Sequence, residues 1–372
     1  VRLRIGKILP WVLAAAAVAF VASAVPVRDR CWDPHAASST RVAVTRDASG
    51  CALHLSTGEV HIDARECGAL TCEPGLASTL VHARTGVLVG LLVVYAVGTL
   101  AWAARWRALL GFADIDMSLL EVWRLSIEAQ AGGVLLPGGL GGDAFRIASV
   151  LAKRPAGGEG TKRAPAAIVV ASVLLDRAVG LAVVAALAAI GGFVWGGMGA
   201  GPVAWILAAL PLAFVAGLAA VRALPIERLG LLAHRRIAGA LQPVLDYARD
   251  PRAPRAIAAS ALCSLGLALT QLTTLRGLVF AVGAHPRAEQ WIPMGMAMGF
   301  LAGSLPGLPG GWGTADAAYV YFFGLGGIAG GSALAVSLLF RMYWYGAAVV
   351  GAALQLSGTR ARKRVPPSRQ DR

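Results

Sequence analysis

Five ionisable residues lie inside strongly apolar stretches of the sequence: Asp143, Asp176, Arg177, Asp316 and Arg341. A charge at the middle of a bilayer costs about 2.5–3.5 kcal/mol on insertion scales, so such residues are expected to be paired or hydrated and to serve a function. Buried arginine can grip a phosphate through two parallel N–H bonds. Asp143 and Asp316 can hold those arginines in place or meet a cationic head group. Two glycine- and proline-rich breaks adjoin the charges. One holds Pro137, Gly138, Gly139, Gly141 and Gly142, the other Pro309, Gly310, Gly311 and Gly313. Broken helices expose unpaired backbone N–H groups that attract anions. Glycines in membrane helices also simply allow close packing, and the ionisable residues tip the balance towards a site. The chemistry these residues suit is recognition of a polar, phosphate-bearing head group.

The two breaks parallel each other. Leu136-Pro137-Gly138-Gly139-Leu140-Gly141 matches Leu308-Pro309-Gly310-Gly311-Trp312-Gly313, and each is followed by a carboxylate, Asp143 or Asp316. Each leads to a span carrying an arginine, Ser172-Val173-Leu174-Leu175-Asp176-Arg177 against Ser337-Leu338-Leu339-Phe340-Arg341. Basic loops should lie in the cytoplasm, and on that rule the first unit faces the cytoplasm and the second faces outside. This is an inverted-topology repeat, a pattern that puts a transport site near the midplane.

The elements that must position these groups follow from composition. The chain has 372 residues, 57% hydrophobic and only 15% charged, with mean hydropathy +0.65; soluble domains run near 25% charged. Several apolar runs reach the roughly 18 residues that cross a bilayer. A soluble enzyme, a secreted disulfide scaffold and a disordered chain are excluded as whole-chain readings. The expected fold is an all-α polytopic membrane protein of about six transmembrane helices plus two re-entrant hairpins, with a small β-rich extracytoplasmic insert. Residues 1–25 hold a first span (8–25), expected to stay uncleaved although Ala22-Ser23-Ala24 resembles a signal-peptidase site. The insert is 26–85. Repeat 1 covers 86–221, with a span at 86–104 ending at Arg105-Trp106-Arg107 and an amphipathic connector at 108–121. Then come a segment 122–145 broken at Gly132-Gly133 and again at 137–142, a basic loop (Arg146, Lys153, Arg154, Lys162, Arg163), and spans at 165–192 and 203–221. A basic loop, 222–255, is expected in the cytoplasm. Repeat 2 covers 256–356, with spans at 256–282 and 332–356 around the broken segment 291–328, and 357–372 form a basic tail. Both termini are expected in the cytoplasm of a cell whose inner membrane holds the protein. Glu128, Gln130 and Gln271 could line the pathway or bond helix to helix.

The net charge of +14 carries no nucleic-acid motif; it suits anionic lipids at the cytoplasmic face. The insert holds Cys31, Cys51, Cys67 and Cys72. Outside the cytoplasm four cysteines make two disulfides, with three pairings open, and no zinc spacing is present. Apolar–polar alternation over 41–45 and 52–62 predicts strands. The insert could bind a protein partner or cap the transporter. Cys263 reads as a packed hydrophobe.

The run Leu136 to Arg146, the pair Asp176-Arg177, and the later Pro309-Gly310-Gly311-Trp312-Gly313 and Ser337 to Arg341 together resemble the lysylphosphatidylglycerol synthase transmembrane-region family over about residues 86–356. This flippase-like group also takes in archaeal dolichol-phosphate glucose synthase-like proteins. The resemblance implies two inverted halves with re-entrant hairpins that move lipids or lipid-linked glycans between leaflets. It implies a site at Asp143, Arg146, Asp176, Arg177, Asp316 and Arg341. Two features depart from the family: Asp316 stands where glutamate is common, and the cysteine insert is extra. No aminoacyltransferase domain follows residue 356, so lysyl transfer is not expected, and no cofactor is implied. The alternatives are an ion-coupled transporter of a small anionic solute and a glycosyltransferase using a polyprenyl-phosphate lipid. An aspartyl protease is disfavoured because Arg177 beside Asp176 would hold it ionised. A membrane serine protease lacks a buried histidine base, and without a phosphate-loop motif direct ATP drive is unsupported.

Overall fold

The computed structural model describes residues 12, 15–32, 41–46, 50–55, 58–112, 115–136, 139–152, 166–195, 197–223, 245–246, 248–304 and 310–363. Pro137, Gly138, Pro309, the loop lysines and arginines at 153–163, and most of the 222–255 loop lie outside them. Of the expected first span, the described part is the short apolar helix α1 (Ala15–Ala24).

The insert is a five-stranded antiparallel sheet in the order β4-β3-β2-β1-β5. Its strands are β1 (Asp29–Trp32), β2 (Val42–Arg46), β3 (Gly50–Leu55), β4 (Gly58–Asp63) and β5 (Thr71–Glu73), with helix α2 (Ala64–Ala69) between the last two. Register sets Cys31 opposite Cys72, and these form one disulfide; Cys51 and Cys67 form the other. Cys31, Val44, Cys51 and Cys67 make its small core. A helix α3 (Leu76–Val81) joins the insert to the membrane part. Asp29 accepts hydrogen bonds from the Gly75 N–H (2.7 Å) and the Ser78 hydroxyl, which fixes the sheet to the start of α3.

Among the described residues, five helices are long and apolar enough to cross a membrane: α4 (Thr85–Phe112), α7 (Ala166–Trp195), α8 (Gly197–Ala223), α9 (Ala253–Ala281) and α12 (Gly330–Lys363). Four shorter ones form two broken pairs, α5 (Leu119–Leu135) with α6 (Leu140–Ala152), and α10 (Trp291–Ser304) with α11 (Thr314–Leu325). None of the four reaches the roughly 20 residues a crossing needs. Ser118 starts α5 with a reciprocal cap: its hydroxyl accepts from the Glu121 N–H while the Glu121 carboxylate accepts from the Ser118 N–H. Gly139, Gly310, Gly311 and Gly313 have positive φ, where a side chain would be strained, so the chain turns there.

Three expectations change here. α4 does not stop at Arg105 but runs on to Phe112, so 108–112 belong to it and 119–121 to α5 rather than to one amphipathic connector. Gly132-Gly133 is not a break but lies inside α5, and Gly141 and Gly142 are not at a tip but in the first turn of α6. A Cβ on Gly141 would sit 2.2 Å from the Gly132 carbonyl oxygen, and one on Gly142 would sit 2.8 Å from that of Ala129. These glycines let the two backbones touch. Thirdly, Arg146 is not in a loop but buried within α6.

Two cores result. Trp106, Leu110, Val122, Leu125, Val150 and Val173 join α4, α5, α6 and α7. A larger one, with Leu207, Leu275, Met294, Phe323 and Val336 at its centre, joins α7 to α12. The insert seats on α12, since a Cβ on Gly331 would meet the Pro74 carbonyl oxygen at 2.5 Å.

Candidate functional site

In α6, Asp143 and Arg146 lie three residues apart and so share a face. In α7, Asp176 and Arg177 are adjacent and point about 100° apart, so each has a different partner. Arg105 from α4 grips Asp176 with both prongs, Nε to Oδ1 at 2.6 Å and Nη2 to Oδ2 at 2.8 Å. Arg146 Nη1 donates to Asp176 Oδ2 at 3.2 Å and lies 3.9 Å from Asp143 Oδ1. Arg177 Nε meets Asp143 Oδ2 at 2.5 Å. The charges therefore alternate, Arg105–Asp176–Arg146–Asp143–Arg177, and end one positive charge in excess. The adjacency of Asp176 and Arg177 does not pair them.

Arg146 is 2% exposed, and its guanidinium stacks 3.9 Å above Trp106. Its Nε and Nη2 have no hydrogen-bond partner. A buried charged donor without an acceptor is costly and marks a place where an anion would be welcome. Small residues make room for these forks. A Cβ on Gly180 would come within 2.3 Å of the Arg105 guanidinium, and one on Gly139 within 3.0 Å of that of Arg177.

The second cluster is neutral. Asp316, in the first turn of α11, accepts from the Gly313 N–H at 3.0 Å, the Ser337 hydroxyl at 2.6 Å and Arg341 Nη2 at 2.7 Å. Arg341 also donates to the Gly310 carbonyl at 2.9 Å and lies 4.3 Å over the Trp312 ring.

Both clusters open into one cavity of about 400 Å³. Arg105, Asp143, Arg146, Asp176 and Arg177 of the first cluster line it, as do Gly310, Ser337 and Arg341 of the second. Asp316 lies behind Arg341 rather than at the wall. Of the glycines in the two breaks, Gly139, Gly142 and Gly310 reach the wall; Gly141, Gly311 and Gly313 do not. Gln271 lines the cavity, as does Gln130, which accepts a hydrogen bond from the Trp344 indole. Glu128 instead pairs with Arg124 at 2.8 Å. Sequence reading missed Arg105. It took that residue for a span boundary and took Arg177 for the partner of Asp176; with Arg177 on Asp143, Asp176 needs another cation, and Arg105 supplies it.

The family model of the lysylphosphatidylglycerol synthase TM region matches residues 75–351, about three quarters of the chain. The chain belongs to this family. No curated protein matches the sequence. The family region begins just past β5, so all five strands of the insert precede it. Both broken helix pairs, both clusters and the cavity lie within it. Like its family, the protein is a multi-pass membrane protein.

Proposed function

We propose that the protein moves a lipid or lipid-linked glycan between leaflets, carrying its phosphate-bearing head group through the cavity between two inverted repeats. The observation that carries this reading is Arg146. It is buried at a membrane cavity wall with two N–H groups unsatisfied, in a pair of clusters where four arginines face three aspartates. Phosphate oxygens supply the missing acceptors. The two broken pairs act as re-entrant hairpins, since each half is too short to cross and each pair packs on itself. Broken backbone at membrane depth needs polar partners, and at the second break Arg341 donates to the Gly310 carbonyl. The basic loops and tail support a reading with both termini in the cytoplasm of an inner membrane and the disulfide-bonded insert outside. The role assigned is transport, with no bond made or broken.

The test is transbilayer movement of fluorescent anionic and zwitterionic lipids in proteoliposomes. Wild type is expected to move an anionic lipid, and Arg146→Ala and Arg177→Ala to slow it roughly tenfold or more, as loss of charged hydrogen bonds implies. Wild-type rates in both variants would overturn the reading. Protein-dependent uptake of a small anion, with no lipid moved, would replace it by solute transport.

A further inference from the structure

A second cavity lies away from the charged one. It uses other faces of the same helices: Ala182 and Val183 of α7 rather than Asp176 and Gly180, and Ile257 and Ala258 of α9 rather than Ser264 and Gln271. It is a groove of about 380 Å³ between α7, α8 and the first turns of α9. Val183, Phe214, Val215, Leu218 and Ile257 make it apolar, and its one charged wall residue is Arg222, at the end of α8. α8 is the least enclosed of the five spans, with 11% of its apolar window buried. The groove is therefore reached from the hydrocarbon.

The end that holds Arg222 is basic. Arg222 Nη2 donates to the Asp250 carbonyl at 3.0 Å, and Arg249 Nε donates to the Val221 carbonyl at 3.0 Å. These bonds draw the approach to α9 against the end of α8. Arg252 pairs with Asp250, and Arg255 is exposed in the first turn of α9. Among the described residues here, Arg222, Arg249, Arg252 and Arg255 outnumber Asp246 and Asp250 by two. The positive end of α9 adds to the same field. An apolar slot at membrane depth that ends in clustered arginines has the layout of one anionic phospholipid, tail along the slot and head group on the charges.

We propose that this groove binds an anionic phospholipid, with an acyl chain between α8 and α9 and its phosphate at Arg222 and Arg255. The site is separate from the translocation cavity, and the inference stands whether or not the protein transports lipid.

The test uses the purified full-length protein and phosphatidylglycerol carrying a diazirine in its acyl chain, with the matching phosphatidylcholine as comparison. Photolysis is expected to place adducts within 211–218 and 257–261, more from phosphatidylglycerol than from phosphatidylcholine. Arg222→Gln and Arg255→Gln should each lower the anionic preference about fivefold. Ala258→Trp, which fills the slot and leaves every arginine in place, should remove the adducts. Gel filtration of each variant verifies that it is folded. Adducts absent from these segments, equal from both lipids, or unchanged in Ala258→Trp would each overturn the proposal.

Discussion

Asp143 and Asp316 occupy the same place in the two broken units, and their surroundings differ. Each sits in the first turn of the second short helix and clasps an arginine of the next long helix, Arg177 or Arg341. Three residues after the carboxylate stands Arg146 in the first unit and Tyr319 in the second. Just before the clasped arginine stands Asp176 in the first and Phe340 in the second. The first unit thus has a buried ion pair where the second has two aromatic side chains, and α4 adds Arg105. The clasp between Arg177 and Asp143 is 32% and 18% exposed; that between Arg341 and Asp316 is 7% and 4% exposed. A buried ion pair exchanged for apolar groups of similar volume is often neutral or stabilising. The second unit keeps its own clasp without the additional Arg146–Asp176 pair of the first. Stability alone therefore does not account for the extra charges of the first unit, which the proposed head-group site would use.

Breaking each cluster at its shared acceptor tests that difference. Asp176→Asn leaves Arg105 and Arg146 buried against a neutral amide, and a loss of about 3–5 kcal/mol is expected. Thermal unfolding in detergent would show it as the largest fall of the series. Asp316→Asn strands one arginine rather than two, and Arg341 keeps the Gly310 carbonyl. A smaller loss of about 1.5–3 kcal/mol is expected in the same measurement. Equal losses would mean that the two clusters are not distinguished by their buried charge.

Five of the six expected spans, the two breaks and three of the five strands of the insert (β2, β3 and β4) were legible because each rests on a local pattern: apolar run length, Gly-Pro clusters and alternation. Five of the cluster residues, Asp143, Asp176, Arg177, Asp316 and Arg341, were legible too, because a charge in an apolar run announces itself; Arg146 came only with the family resemblance. Partnership was not. Arg105 stands near the end of a twenty-residue crossing, but α4 has 28 residues, so what looks like an edge is still interior. Arg146 begins what reads as a basic loop, yet helix α6 continues to Ala152 and turns it inward. Gly141 and Gly142 carry the composition of a turn, but serve as a contact surface for α5, a distinction made only by the partner backbone. The disulfide pairing likewise depends on strand register, which places Cys31 beside Cys72 and which cysteine spacing does not encode.

The smallest effect expected is the coupling within the more open clasp. A double-mutant cycle of Asp143→Ala and Arg177→Ala isolates that pair from its neighbours. Solvent reaches both side chains, so the coupling should be below about 1 kcal/mol and shrink with added salt. The same cycle on Asp316 and Arg341 should give a larger coupling that salt leaves in place, because both groups are enclosed. Arg146 sharpens the reading. In Asp143→Ala it keeps Asp176 at 3.2 Å, so the first cluster should survive the loss of its clasp while the second should not. A salt-insensitive coupling at Asp143 would mean that the first clasp is sealed like the second. The contrast between a positively charged cluster with an exposed clasp and a neutral one with an enclosed clasp would then fail.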